Sequence, residues 1–172
     1  MASENVAGII EHKKQVASLM NMVISDLMQR AIVHDNSKFE PEEFDAFEEA
    51  TPRLKEVVYG SEEYKAELRK IKPAIQHHYQ VNRHHPEYFE FEVEGIHGIT
   101  QMNLIDLIEM VCDWFAATKR SKDGDMAEGL RINRDRFHID DTLFGILVNT
   151  VQLLSQKEEF DRQCTNFLGG KP

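Results

Sequence analysis

The sequence predicts an all-α protein, and three observations carry that expectation. Gly and Pro are scarce, at 9 and 5 of 172 residues, which disfavours a turn-rich all-β chain. Apolar residues recur at steps of three and four over long stretches. The stretches so marked open on Ser, Asn or Asp, the residues whose side chains cap helix N-termini. The length suits one domain with a sizeable core, so residues 1–172 are read as a single helical domain.

Taken in order, residues 5–32 read as one long amphipathic helix. Val6, Ile9, Val16, Leu19, Val23, Leu27 and Ala31 form a stripe expected to face the core, His12 points inward with them, and Ser3 is the expected N-cap. "HDNSKFEPEEF" is a turn, and Ser37 or Glu40 with Pro41 opens a short acidic helix around 41–50. "TPRLKEVVYGSEEY" reads as a loop with room for a short helix. Ser61 caps a helix running to about residue 84, with Glu62 and Glu63 in its first turn and a kink or break near residue 72 imposed by Pro73. "HHPEYFEFEVEGIHGIT" is irregular. Asn103 opens a helix whose core face is Leu104, Ile108, Val111 and Phe115. Asp125 caps a helix to about residue 136. A last helix, capped by Asp140 or Asp141, turns Leu143, Phe144, Leu147 and Leu154 inward, and "FLGGKP" frays. The C-terminal helices thus occupy about 125–158.

Twenty basic against thirty acidic residues give a net charge of −10. That argues against a broad face for long nucleic acid, whose phosphates need clustered Lys and Arg. Cys112 and Cys164 are far apart and lack CxxC spacing, so they form neither a disulfide framework nor a zinc ribbon; Cys112 is expected to be a buried thiol. The N-terminus has no signal-peptide pattern and no apolar run approaches ~18 residues. The expectation is a soluble cytoplasmic protein with no membrane partner.

The residues suited to chemistry are histidines and carboxylates. "AIVHDNSKF" sets His34 against Asp35 at a helix end. Taken alone, that pair is an ordinary helix terminus, and His12 is an ordinary core histidine. His77, His78, His84 and His85 are harder to dismiss. Seven residues is two helical turns, which stacks His77 over His84 and His78 over His85. Asp113 stands between Cys112 and Trp114 in an apolar helix, where an unpaired carboxylate is costly; it wants Lys, Arg or a metal as partner. A divalent cation needs such groups converging from several elements.

"EHKKQVASLMNMV", "AIVHDNSKF" and "CDWFAATKR" together resemble the HD-domain superfamily of metal-dependent phosphohydrolases, an all-helical bundle with the pattern H…HD…D. The resemblance spans about residues 9–120, and Lys38 in "HDxxK" strengthens it. It implies His12, His34, Asp35 and Asp113 as ligands of a first metal. Where that superfamily holds two metals, histidines between the HD pair and the last Asp serve the second, and the HD Asp bridges. His78 and His85 fit by spacing, with His84 a close rival for His85. The segment "HHYQVNRHHPEYF" with "MNLIDLIEMVCDW" is similar to a narrower group of HD-like proteins of unassigned function in bacteriophages and bacteria. The "GYP" element of the cyclic-di-GMP hydrolases is absent, and "HHPEYF" stands where "HHE" belongs, so that substrate is not carried over.

The expectation is therefore a phosphohydrolase for a nucleotide or another small phosphoester, using one or two ions of Mn, Fe, Co, Ni or Zn and a metal-activated water. Asp35 and Lys38 carry the catalytic assignment. Lys38, His84, Arg83 and Lys119 are the substrate candidates, with Arg120 behind them, and Tyr79, Tyr88, Phe89, Phe91 and Trp114 are candidates for stacking a base. Asp106 and Glu109 share a helical face with Asp113 and read as a solvated stripe, with support of a ligand histidine from behind as the less expected alternative. His97 and His138 receive no role. Rival readings are a di-iron oxygenase on the same ligands and a non-catalytic nucleotide-binding or regulatory module, for instance phage-encoded.

Overall fold

Eight α-helices and two short 3-10 turns, with no strand, make up the described residues of the computed structural model. Those residues are 2–58, 60–90, 97–120 and 124–167, with side chains described for 4–162 of them. The all-α expectation holds.

Helix α1 runs Ala2–Val33 and already includes Ala2, so Ser3 is not its cap. A 3-10 turn, Asn36–Phe39, leads to α2, Phe44–Leu54, which continues through Pro52 beyond the expected end. The expected helix from Ser61 is two helices. Ser61 accepts from the Tyr64 N–H and opens α3, Glu62–Lys70; the break falls at Ile71, and Pro73 sits in the first turn of α4, Lys72–Val81, where its missing N–H is harmless. The chain turns at Asn82 and resumes as the short α5, Pro86–Glu90. A second 3-10 turn, Gly98–Gln101, packs on α5 so closely that a Cβ on Gly98 would lie 1.7 Å from the Pro86 carbonyl oxygen.

Asn103 caps α6, Leu104–Thr118, in a full capping box: its side chain accepts from the N–H groups of Ile105 and Asp106, and the Asp106 carboxylate accepts from the Asn103 N–H. Asp125 caps α7, Met126–Arg136. Asp140 caps α8, Asp141–Phe167, accepting from the N–H groups of Thr142 and Leu143. The segment "FLGGKP" lies outside the described residues apart from Phe167.

The apolar core joins α6, α7, α8 and the second 3-10 turn through Ile99, Met110, Val111, Leu130, Phe137, Ile139, Leu147 and Val151. Leu143, Phe144 and Leu154 pack against it as expected, as does Phe115. Three expectations are corrected. Leu104 and Ile108 are exposed, because the face of α6 beside them meets α1 with polar groups and Leu104 stands at the helix tip. Cys112 is exposed on the flank of α6 rather than buried. The stripe of α1 is also uncovered over Val6, Ile9, Val16, Leu19 and Val23, and Ala31 near its other end is exposed as well. For the N-terminal five the cause is length: α1 has 32 residues and α6, on which it packs, has 15. At 1.5 Å per residue, about 48 Å of helix meets about 22 Å, so the N-terminal half overhangs.

Candidate metal centre

Four elements deliver the site. The end of α1 supplies His34 and Asp35, the end of α4 supplies His78, the turn before α5 supplies His84 and His85, and α6 supplies Glu109 and Asp113. Asp35 is in the left-handed region, at φ 57° and ψ 18°. Asp enters that region more readily than most residues, and the sharp turn it makes ends α1 and swings its carboxylate inward.

The Nε2 atoms of His78 and His84 lie 3.3 and 3.4 Å from Asp35 Oδ1, and His85 Nε2 lies 2.9 Å from His78 Nε2. Ligand atoms held at about 2.1 Å by one ion are spaced about 3.0–3.4 Å along the edges of an octahedron or tetrahedron. Asp35 Oδ1 and His84 Nε2 are buried and have no hydrogen-bond partner. Buried polar atoms are rarely left so, and these two point at the same spot. A second group uses the other side of Asp35: His34 Nε2 lies 3.6 Å from Asp35 Oδ2 and 3.7 Å from Asp113 Oδ1.

Two carboxylates fix the rings from behind. Glu109 Oε1 accepts from His34 Nδ1 at 2.9 Å and lies 3.2 Å from His84 Nδ1. Glu43, fully buried, accepts from His77 Nδ1 at 2.7 Å and His78 Nδ1 at 2.9 Å. A proton held on Nδ1 leaves Nε2 with its lone pair toward the centre, the usual posture of a metal-bound imidazole. Behind these, Arg30 donates to Asp106 at 2.6 Å and to Glu109 at 3.2 Å, and Arg83 joins Asp106 at 3.3 Å.

The electrostatics call for a cation. Asp113 and Glu109 raise the His34 imidazole from 6.5 to about 10, so without another cation it carries a proton at neutral pH. Burial pushes His84 down, but Asp35 and Glu109 outweigh it and the net shift is upward. Burial likewise pushes Asp35 up, and His78, His84 and Lys38 more than reverse it, holding the carboxylate well below its usual range. Glu109 is depressed in the same way by His34, His84 and Arg30 against its burial. His85 goes the other way: burial, then His84 and His78, keep it neutral and fit to donate a lone pair.

A cavity of about 330 Å³ opens beside this cluster, with His78, His85, Asp113 and Lys38 in its wall. Phe47, Ile75, Tyr79, Trp114 and Phe137 give it a largely apolar surface, and Lys55, Arg120 and Arg136 add positive charge. Glu87 also lines it. One Glu87 oxygen is held by Arg136 and the other, Oε2, is buried without a hydrogen-bond partner. Burial raises the Glu87 carboxyl above its usual range despite Arg136.

The fold therefore brings together His34, Asp35, His78, His85 and Asp113 of the expected ligands. His84 belongs with them as well as His85, and the choice between the two falls away because the turn at 82–85 presents both. The reason is not stacking on one helix: α4 ends at Val81, and His77 turns to Glu43 instead of lying over His84. His12 is a correction. It lies 22 residues before His34 near the other end of the same unbroken helix, exposed and about 33 Å away along the axis.

Among the substrate candidates, Lys38 lines the cavity and donates to Asp35 at 2.5 Å. Arg83 is tied to Asp106 and lies over the rings of Tyr88 and Phe89, at 5.3 and 4.9 Å, so it supports the site from outside. Lys119 pairs with Glu158 of α8 and lies over Phe115, off the cavity. Tyr79 and Trp114 line the cavity, whereas Phe91 lies outside the described residues. His97 and His138 stack on one another with ring centres 4.3 Å apart. Of the two readings of Asp106 and Glu109, the solvated stripe fails and the less expected one holds: Asp106 is fully buried against Arg30, and Glu109 stands behind His34 and His84. Glu43 and Glu87 were missed. The signal for Glu43 was weak, a third acid in "EPEEF" one position before a helix, and for Glu87 it was its place directly after His84, His85 and Pro86.

A family model described as "Family of unknown function (DUF5662)" matches residues 1–153, and the chain belongs to that family. No curated protein and no solved structure matches the chain.

Proposed function

We propose that this member of the DUF5662 family is a metal-dependent phosphohydrolase acting on a nucleotide or another small phosphoester. The observation that carries the reading is the pair of buried atoms without hydrogen-bond partners, Asp35 Oδ1 and His84 Nε2, converging with His78 Nε2 and His85 Nε2 beside a cavity. The likeness of "VHDNSKF" and "CDWFAATKR" to the HD-domain superfamily supports it.

His78, His84, His85 and Asp35 hold one ion in this reading, and His34, Asp35 and Asp113 a second. Imidazoles mixed with carboxylates suit Mn, Fe, Co, Ni or Zn better than Mg. When bound, such an ion supplies a water of lowered pKa and a Lewis acid for a phosphoryl oxygen. The chain does the rest. Glu43 and Glu109 hold the imidazole tautomers. Lys38, between Asp35 and the cavity, offers its ammonium to a phosphate oxygen. Trp114, Tyr79 and Phe47 offer apolar faces to the body of the substrate, and Arg120 and Arg136 place positive charge along the wall.

The test is elemental analysis of protein purified without added metal, beside a His34→Ala, Asp35→Ala double variant. The expected result is near two equivalents of transition metal in the parent, lost in the variant, followed by phosphate release from a nucleotide and phosphoester panel. No metal, even after Mn or Fe reconstitution, defeats the proposal. A di-iron oxygenase is the second reading, favoured by the two ligand groups that share Asp35. Dioxygen uptake without phosphate release selects it.

A further inference from the structure

We infer that the cavity takes the phosphate monoester of an apolar alcohol, whose hydrocarbon body, on the order of 10 Å long, lies along α6 and α7. The inference rests on the phosphohydrolase reading and names its substrate class: of a nucleotide and another small phosphoester, the walls favour the second. The first observation is the direction of the cavity. Phe47 marks the histidine end of α2, with its ring 5.6 Å from that of His78 and the Lys38 ammonium 5.2 Å over it. Leu54, seven residues on, also lines the cavity, about 10 Å further along the helix. On α6 the wall runs from Asp113 through Trp114 and Ala117 to Thr118. Helix α7 returns beside it. Phe137 stacks on Trp114 at 5.9 Å, and the wall continues back along α7 through Ile132, Gly129 and Met126 to Gly124, which meets the Thr118 carbonyl at the end of α6. A Cβ on Gly129 would meet no atom within 4 Å, so room is left in that stretch.

The second observation is what the walls offer beyond the histidines. Leu54, Val57, Leu68, Ile75, Met126 and Ile132 face the cavity there. Polar side chains of the same stretch are already engaged. Thr51 donates to the Phe47 carbonyl at 2.6 Å and Thr118 to the Phe115 carbonyl at 2.8 Å. Asp125 accepts from the N–H groups of Ala127 and Glu128, and Arg136 is held by Glu87 and Tyr79. A nucleoside brings ribose hydroxyls and base edges that need partners at fixed positions, and burying them without partners is costly. A hydrocarbon needs apolar area alone. Lys55, Glu56 and Arg120, past the apolar stretch, are exposed and carry both signs, so they call for no second anion on the ligand. The phosphate belongs at the inner end with Lys38. In the hydrolysis, water adds to phosphorus, the bond from phosphorus to the ester oxygen breaks, and the alcohol leaves with a proton from that water.

The experiment is calorimetric binding of butyl, hexyl and octyl phosphate, each below its micellar concentration, and of AMP and GMP, to the full chain as purified and after chelation. Trp114, the one tryptophan of the chain, lines the cavity and reports where the ligand lies. Affinity is expected to rise about threefold per added methylene. Octyl phosphate is expected to shift the Trp114 emission in both states, and AMP and GMP to bind at least tenfold more weakly. Gly129→Leu, which fills the open stretch, is expected to abolish the gain from hexyl to octyl and to leave butyl phosphate affinity, metal content and helical circular dichroism unchanged. A nucleotide that binds as tightly as octyl phosphate overturns the proposal, as does an affinity that ignores chain length or binding that leaves Trp114 emission unmoved. An unaltered length series in Gly129→Leu overturns the placement of the body along α7. Failure of the phosphohydrolase reading looks different: no metal and no phosphate release, with the length series intact in the chelated protein.

Discussion

Around α7 and α8 the buried side chains are Leu130, Phe137, Ile139, Leu147 and Val151, an apolar interior with Asn133 as its polar member. Around α2, α4 and α5 they are Ala50, Ile71, Ala74 and Phe89, set among Ser37, Glu43, His78 and His84. Both interiors rest on α6, whose Met110 and Val111 face the first and whose Glu109 and Asp113 face the second. The contrast teaches that the two regions are held by different physics. Apolar burial stabilises in proportion to area and needs no exact partner. A buried polar cluster stabilises only when every member is satisfied, and here Asp35 Oδ1 and His84 Nε2 are not satisfied by protein atoms. The first region is closed by its own side chains, while the second leaves two buried polar atoms that an ion among the histidines would satisfy.

The largest expected effect follows from this. At a thousandfold excess over its Kd, a bound ion contributes about 4 kcal/mol. Chelation is therefore expected to lower the melting temperature by about 8–16 °C. Hydrogen exchange should show the loss confined to residues 34–39 and 76–90, with α7 and α8 protected as before. Equal loss across both regions breaks the comparison.

The converse substitution lies in the apolar interior. Leu147 is buried on α8 within the core cluster. Leu147→Ala removes contacts and leaves a void, at a cost of about 3 kcal/mol, to be read from the urea midpoint. Metal stoichiometry is expected to stay unchanged. A variant that also loses its metal shows that the two interiors form one cooperative unit at the site.

The same contrast governs what the sequence made legible. The apolar half was legible because its signal is local. Caps at Asn103, Asp125 and Asp140 and the periodic Leu147 and Leu154 each reflect contacts that helix spacing foretells. The candidate ligands were legible by residue type, since Asp113 in an apolar helix and paired histidines already ask for a partner. What periodicity cannot convey is which end of a helix reaches the body. His12 and Val16 obey the stripe of α1 as well as Leu27 does, yet α6 ends before it reaches them. Nor can it tell a buried acid from a solvated one. Glu109 and Glu43 look like surface acids until the fold sets an imidazole against each.

Those two carboxylates provide the next, smaller prediction. Glu109→Gln and Glu43→Gln keep volume but remove the charge that holds each Nδ1 proton. Loss of such a partner weakens metal binding by about 10- to 100-fold, or about 1.4–2.7 kcal/mol. Competition with a calibrated chelator measures it. Glu109→Gln is expected to be the worse of the two, because Glu109 also accepts from Arg30 and lies beside two ligand candidates, His34 and His84. An unchanged affinity in both variants leaves the ring tautomers set by something other than these acids.

The smallest effect separates two helix caps that are alike in chemistry and differ in what lies behind them. Asp140 caps α8 and touches the apolar half alone among its hydrogen bonds, to the N–H groups of Thr142 and Leu143. Asn103 caps α6, and the reciprocal half of its box is Asp106, which receives Arg30 at 2.6 Å while Arg30 also donates to Glu109. Removing either cap side chain, as Asn103→Ala or Asp140→Ala, is expected to cost about 1 kcal/mol in thermal or urea unfolding. Their metal affinities should diverge. Asp140→Ala leaves affinity where it was. Asn103→Ala frees the first turn of α6, so that Asp106, Arg30 and Glu109 shift together and affinity falls by roughly threefold, less than the about 10-fold at which loss of a direct ring partner begins. If the two variants bind metal alike, the chain from Asn103 through Arg30 to the histidines is packing without consequence for the site, and α6 joins the two interiors only as a wall.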